Sequence, residues 1–204
     1  MQNIAWSKDS VMKRLLFTVL ILFITAQTGL TDDKNSAKKI LAGKLDAAIA
    51  VLQKKNMDQQ EKDRQIIKIV TPIFDFPFMA KLSLGRKYWP GLSKEQKQQF
   101  TDLFIKRLEV SYLEKLSLYT DETIVYKTPV QSGRKIEIPT EVISKDKLIS
   151  MTYKLYKSKH NWKIYDMEIE GISIIVTYRS QFDQILEKGT FDDLLLKLEA
   201  PENK

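Results

Sequence analysis

The chain has 204 residues, 43% hydrophobic and 29% charged, which excludes a disordered or polytopic protein and suits one domain with its own core. It contains no cysteine, so disulfides and thiolate metal sites are excluded. The formal net charge is +7, but basic and acidic residues alternate along the chain and leave no dense stripe to track phosphates, so nucleic acid is not an expected partner.

Met12-Lys13-Arg14 opens a basic stretch, Leu15 to Ile24 is apolar apart from Thr18, and Thr25-Ala26 is small. That order is the layout of a secretory signal peptide, and the apolar run is about half of what a bilayer span needs. Residues 1–26 therefore read as a cleavable leader, with its expected start at Met12, that directs the mature chain to export. Residues 27–36 are polar and read as a flexible N-terminus, and residues 37–200 as one domain.

From Ala37 to Lys55, Ile40, Leu41, Leu45, Ala48, Ile49 and Leu52 recur at helical spacing. Asp58 is placed to cap a second helix through Ile66, Ile67 and Val70, which Pro72 ends. An apolar, aromatic stretch follows from Ile73 to Leu84-Gly85. Ser93 and Gln96 form a capping box, and the helix they open carries Phe100, Leu103, Phe104, Leu108, Tyr112 and Leu116 to its end near Tyr119.

The period then changes. Residues 123–130, 134–143, 147–157 and 161–170 alternate and are rich in Val, Ile, Thr and Tyr. The polar turns Ser132-Gly133, Lys145-Asp146 and His160-Asn161 separate them, predicting an antiparallel meander. Pro129 and Pro139 are expected near strand ends or at an edge. Residues 174–189 and 191–198 read as two helices broken at Gly189. N-terminal helices, a curved antiparallel sheet and C-terminal helices make an α+β domain.

Chemistry finds little support. His160, the lone histidine, falls in a predicted turn, no nucleophile or nucleotide motif occurs, and no carboxylate cluster has metal-ligand spacing. Asp75 and Asp166 read as hydrogen-bond acceptors in half-buried places. The large apolar side chains could fill a core, or could line a gap able to bury acyl chains at roughly 0.8 kcal/mol per CH₂. Periodicity leaves these two readings open.

Two blocks of residues bear on the choice. The first is Phe74-Asp75-Phe76, Met79-Ala80, Leu84-Gly85, Trp89, and Ser93 through Gln96-Lys97 to Phe100, with Phe104 and Tyr112 beyond. The second is Trp162-Lys163-Ile164-Tyr165-Asp166-Met167, Glu170-Gly171-Ile172-Ser173 and Tyr178-Arg179-Ser180-Gln181-Phe182, followed by Gly189, Asp193-Leu194-Leu195 and Leu198. Taken in order, this set resembles the MlaC family of periplasmic phospholipid-binding proteins, also called the toluene-tolerance family. Lys81 and Lys97 stand where that pattern favours Arg, which keeps charge but not bidentate geometry.

The resemblance implies a soluble monomeric carrier, without catalysis or cofactor, whose hydrophobic cavity holds phospholipid tails. It implies two partners, an outer-membrane lipoprotein complex and an inner-membrane ABC transporter with a substrate-binding ring, and a role in outer-membrane lipid asymmetry. It places Phe76, Met79, Leu84, Phe104, Leu108, Tyr112, Met151 and Tyr153 in the cavity wall, with Tyr178 and Phe182 closing it. Asp166, Gly171, Ser173 and Arg179 would fix the sheet-to-helix corner. The rival readings are a hopanoid-type cargo, an exported enzyme using Asp75 or Asp166 as base, and an interaction module with no cavity.

Overall fold

The computed structural model describes residues 28–113, 123–144, 147–159 and 161–200; the expected leader, Leu116, Tyr119, His160 and the Lys145-Asp146 turn lie outside them. Helix α1 spans Thr28–Leu52. It begins nine residues before Ala37, so the segment expected to be a flexible lead is helical from Thr28 onward. A contact on the sheet accounts for part of the extension: Asp33 meets the Lys157 ammonium at 2.6 Å. Helix α2, Gln59–Val70, starts on Asp58, whose carboxylate accepts from the Glu61 amide at 2.9 Å, and a 3-10 turn at Thr71–Ile73 carries Pro72.

Helix α3, Phe76–Tyr88, occupies the aromatic stretch that periodicity leaves unassigned. Its start signals are local. Asp75 accepts from the Phe78 amide at 3.1 Å, and Pro77 falls in the first turn, where a missing N–H costs nothing. Gly85, at φ +74°, kinks it. A 3-10 turn at Trp89–Gly91 leads to α4, Lys94–Leu108, which opens on the Ser93/Gln96 capping box and passes into a π turn at Glu109–Leu113.

The sheet contains β1 (Thr123–Tyr126), β2 (Val130–Ser132), β3 (Lys135–Ser144), β4 (Lys147–Ser158), β5 (Asn161–Ile169) and β6 (Ile172–Ser173). It is antiparallel and curved, in the order β1-β3-β4-β5-β6, with β2 also on β3. Helices α5 (Ile174–Leu186) and α6 (Phe191–Glu199) complete the chain. Pro139 is not at an edge. It lies inside β3, opposite Thr152 of β4. Its carbonyl accepts from the Lys127 amide at 2.9 Å, so its other backbone position faces the gap between β1 and β2. The neighbouring strand is interrupted where Pro139 has no N–H to give.

A bulge in β5 sets the faces. Leu155 pairs with Ile164 but Lys154 pairs with Asp166, leaving Tyr165 as an extra residue. Ile164 and Met167, three positions apart, therefore share the face that Trp162 also uses. Regular alternation would have put Met167 on the opposite face from Ile164.

Candidate functional site

Among the described residues, three apolar clusters form. The largest joins α3, α4, α5 and α6 through Met79, Leu84, Phe100, Phe104, Leu108, Tyr178, Phe182 and Leu194 among others. It is a ring-on-ring assembly. Phe104 meets Tyr178 edge-on at 5.2 Å between centroids, Phe100 meets Phe182 edge-on at 5.5 Å, and Phe100 stacks on Phe104 at 6.0 Å. Phe104, Leu84 and Met79 keep 0, 1 and 2% of their surface, as side chains packed on every side do.

The second cluster lies between the sheet and α1: Ala37 and Leu41 sit on Ile136, Ile138, Tyr153, Leu155, Trp162 and Ile164, with Met151 half-buried beside them. The third, smaller one joins Ala48, Val51 and Leu52 of α1 to Ile66 of α2. Among the described residues, Phe74 and Met167 alone pack against both the helical and the sheet clusters. Both are half-buried, as are Phe76, Met151 and Ile169 around them.

The residues expected in a wall thus fall in two groups. Met79, Leu84, Phe104, Leu108, Tyr178 and Phe182 come together in the helical cluster, with Phe76 against it. Met151 and Tyr153 lie in the sheet cluster. The side chain of Tyr112 is outside the described part. Sequence reasoning missed Phe74 and Met167, because a junction between clusters carries no periodicity of its own. The one available signal was the parity shift in β5, where Trp162 and Ile164 are even-numbered and Met167 and Ile169 are odd.

Of the four residues assigned to the sheet-to-helix corner, three are there. Glu170 and Gly171, at φ +50° and +77°, make the two-residue turn between β5 and β6. Ser173 caps α5, donating its hydroxyl to Asp166 Oδ2 at 2.8 Å and accepting from the Val176 amide at 3.1 Å. Asp166 Oδ1 accepts from the amides of Met167 at 2.8 Å and Ile175 at 3.2 Å. Arg179, in the second turn of α5, points its guanidinium away from that corner. It reaches to α3 and donates from Nε and Nη2 to the Leu82 carbonyl at 2.9 and 2.5 Å, beside the kink at Gly85.

Charge is managed by pairing. Lys154 lies 3.5 Å from Asp166 and contacts Glu168. Burial works against its ammonium, but these carboxylates hold its pKa above the usual value. Burial pushes up the phenols of Tyr153 and Tyr165; burial together with the neighbouring carboxylates of Asp46 and Asp75 raises those of Tyr126 and Tyr156. Asp75 accepts from the Tyr156 hydroxyl and the Phe78 amide, and Asp166 from two amides and a hydroxyl, so both carboxylates serve as structural acceptors. Among the described residues no group of His, Cys, Asp and Glu could hold a metal ion, and no helix is long and apolar enough to cross a membrane.

The family model described as MlaC protein matches residues 43–200, from the middle of α1 to the end of α6. The chain belongs to the MlaC family. Its relatives include the Intermembrane phospholipid transport system binding protein MlaC of Haemophilus influenzae, 24% identical over 193 residues, covering 91% of this chain and 90% of that one. The fold is that of a phospholipid-binding protein from Ralstonia solanacearum solved in complex with a phospholipid, with a TM-score of 0.73 at 24% identity, covering 80% of this chain and 95% of that one. The MlaC match ends with α6, and the Ralstonia likeness shows that helices over one curved sheet are the shared architecture.

Proposed function

We propose that this chain is a periplasmic phospholipid carrier that binds lipid without transforming it. The observation that carries the reading is membership of the MlaC family together with a fold shared with a protein captured on a phospholipid. Two apolar clusters meeting at a half-buried junction suit that task. Acyl chains inserted there leave water at a gain of roughly 0.8 kcal/mol per CH₂, so a bound lipid stays bound in transit. Release then requires a partner to favour an opened state.

In this reading the leader at residues 1–26 directs export, and the mature domain works as a monomer. It exchanges lipid with an outer-membrane lipoprotein complex and an inner-membrane ABC transporter bearing a substrate-binding ring, which supports outer-membrane lipid asymmetry. The wall is formed by Phe76 on the helical side and by Met151 and Tyr153 on the sheet side. Met79, Leu84, Phe104 and Leu108 stand behind it, and Tyr178 and Phe182 close it from α5. Asp166, Gly171 and Ser173 hold the corner from which α5 departs.

The test is organic extraction of protein purified from a periplasmic fraction without detergent, followed by lipid mass spectrometry. Stoichiometric diacyl phospholipid is the expected result. A triterpenoid would change the cargo, and an empty folded protein would overturn the carrier reading.

A further inference from the structure

The entry to α3 holds a carboxylate between two phenylalanines, and the geometry gives the rings one task and the carboxylate another. Phe74 and Phe76 turn to one side, where their rings stack at 5.3 Å with 13° between planes. Asp75 turns away from them. Its Oδ1 caps α3, its Oδ2 receives the Tyr156 hydroxyl from β4, and its amide donates to the Ile164 carbonyl of β5 at 2.9 Å. One residue is thereby fixed to a helix and to two strands.

The rings stand where, among the described residues, the two large clusters meet. Phe74 packs against both clusters, as Met167 does, and Phe76 packs against the helical one. An intruding acyl chain loses least where side chains are already half-exposed, and the enclosed rings of Phe100 and Phe104 offer it no such place. Thioethers such as Met151 and Met167 adapt to chains of different length.

Resting on the carrier reading, we infer that the Asp75–Tyr156 hydrogen bond is a latch that sets the position of the Phe74–Phe76 stack, and through it how firmly the junction retains acyl chains. Asp75 and Tyr156 are positioning residues, and the stack is the surface that meets the lipid. The Tyr156 hydroxyl, which also meets the Ser158 side chain, can be removed without unseating the ring, because Phe78 at 5.3 Å and Tyr165 at 6.0 Å hold it whether or not it donates.

The experiment compares wild type, Tyr156→Phe, Asp75→Asn and the double variant, each loaded with a fluorescent diacyl phosphatidylglycerol. Release to vesicles of phosphatidylethanolamine and phosphatidylglycerol is followed, with the Tm of each protein recorded. Asparagine keeps an oxygen to cap α3 but replaces the acceptor of the tyrosine proton. Tyr156→Phe is expected to release lipid on the order of three- to tenfold faster at nearly unchanged Tm, Asp75→Asn similarly, and the double variant no faster than either single. Should Asp75→Asn fail to fold, Tyr156→Phe decides alone, since it leaves the cap intact. Wild-type release from both single variants, or additive effects, overturns the latch while the carrier reading stands. A wild-type protein that takes up no lipid overturns both.

Discussion

The helical cluster and the sheet cluster both bury apolar residues but hold them in different ways. Between α3, α4, α5 and α6 the contacts are rings against rings, with arginines clamping main-chain carbonyls. Arg179 holds Leu82, and Arg107 donates to Lys197, Leu198 and Ala200 at 2.8, 2.7 and 2.5 Å. On the sheet the face is mostly aliphatic, and α1 is seated by polar contacts at its margins. Asp33 pairs with Lys157, Lys38 donates to the Tyr126 carbonyl at 3.1 Å, and the Tyr126 hydroxyl donates to Asp46 at 2.7 Å. The first region has little slack to give. Room for a guest has to come from the second and from the line where the two meet.

That contrast can be broken by truncation. Phe104→Ala removes a ring enclosed by Phe100, Tyr178 and Phe182 and should cost about 3–5 kcal/mol in a denaturant titration. A loss below about 2 kcal/mol would show that the helical cluster can collapse around the gap, against the packing described.

Alkaline pH addresses the other region. Tyr126, Tyr153, Tyr156 and Tyr165 have folded pKa values above the ordinary 10.0, and Lys154 lies above its ordinary 10.5. A group raised on folding contributes stability that is whole below its unfolded value and is lost as pH rises through the folded one. The denaturation midpoint should therefore hold through neutrality and fall once pH passes about 10, and a flat profile to about 12 would contradict the burial of these phenols.

The smallest effect on stability is expected at Met151. Only half-buried, it should cost roughly 1 kcal/mol on Met151→Ala, below the usual range for an enclosed methionine. The same variant should retain less phospholipid through purification. A loss of several kcal/mol with lipid content unchanged would place Met151 in the core and not at the wall.

What could be read from the sequence was local. Asp58, Ser93 with Gln96, and Pro72 mark helix ends because capping and proline act within four residues, and the structure uses each as expected. The strands followed from alternation. Helix α3 escaped because an aromatic run reads equally as strand or buried helix, although Asp75 and Pro77 were its start signals. Pro139 was misplaced because its tolerance depends on a gap in another strand. Arg179 was assigned to the nearest corner because nothing near it in sequence points to a carbonyl 97 residues away. Within the helical cluster, spacing made Phe100, Phe104 and Leu108 of α4 legible as one apolar face. The junction residues Phe74 and Met167 were not, since their role exists only once both clusters are folded.

The bulge at Tyr165 has a bearing on how this chain can change over generations. Because one unpaired residue sets which side chains of β5 turn inward, deleting it alone would exchange the faces of everything beyond, putting Glu168 among the apolar residues and Met167 and Ile169 outside. Single-residue insertions and deletions in this strand are therefore closed to drift, while changes of side chain, or of two residues together, remain open. Lineages descending from this sequence should vary freely in β5 composition and hardly at all in the count of residues between Trp162 and Ile169.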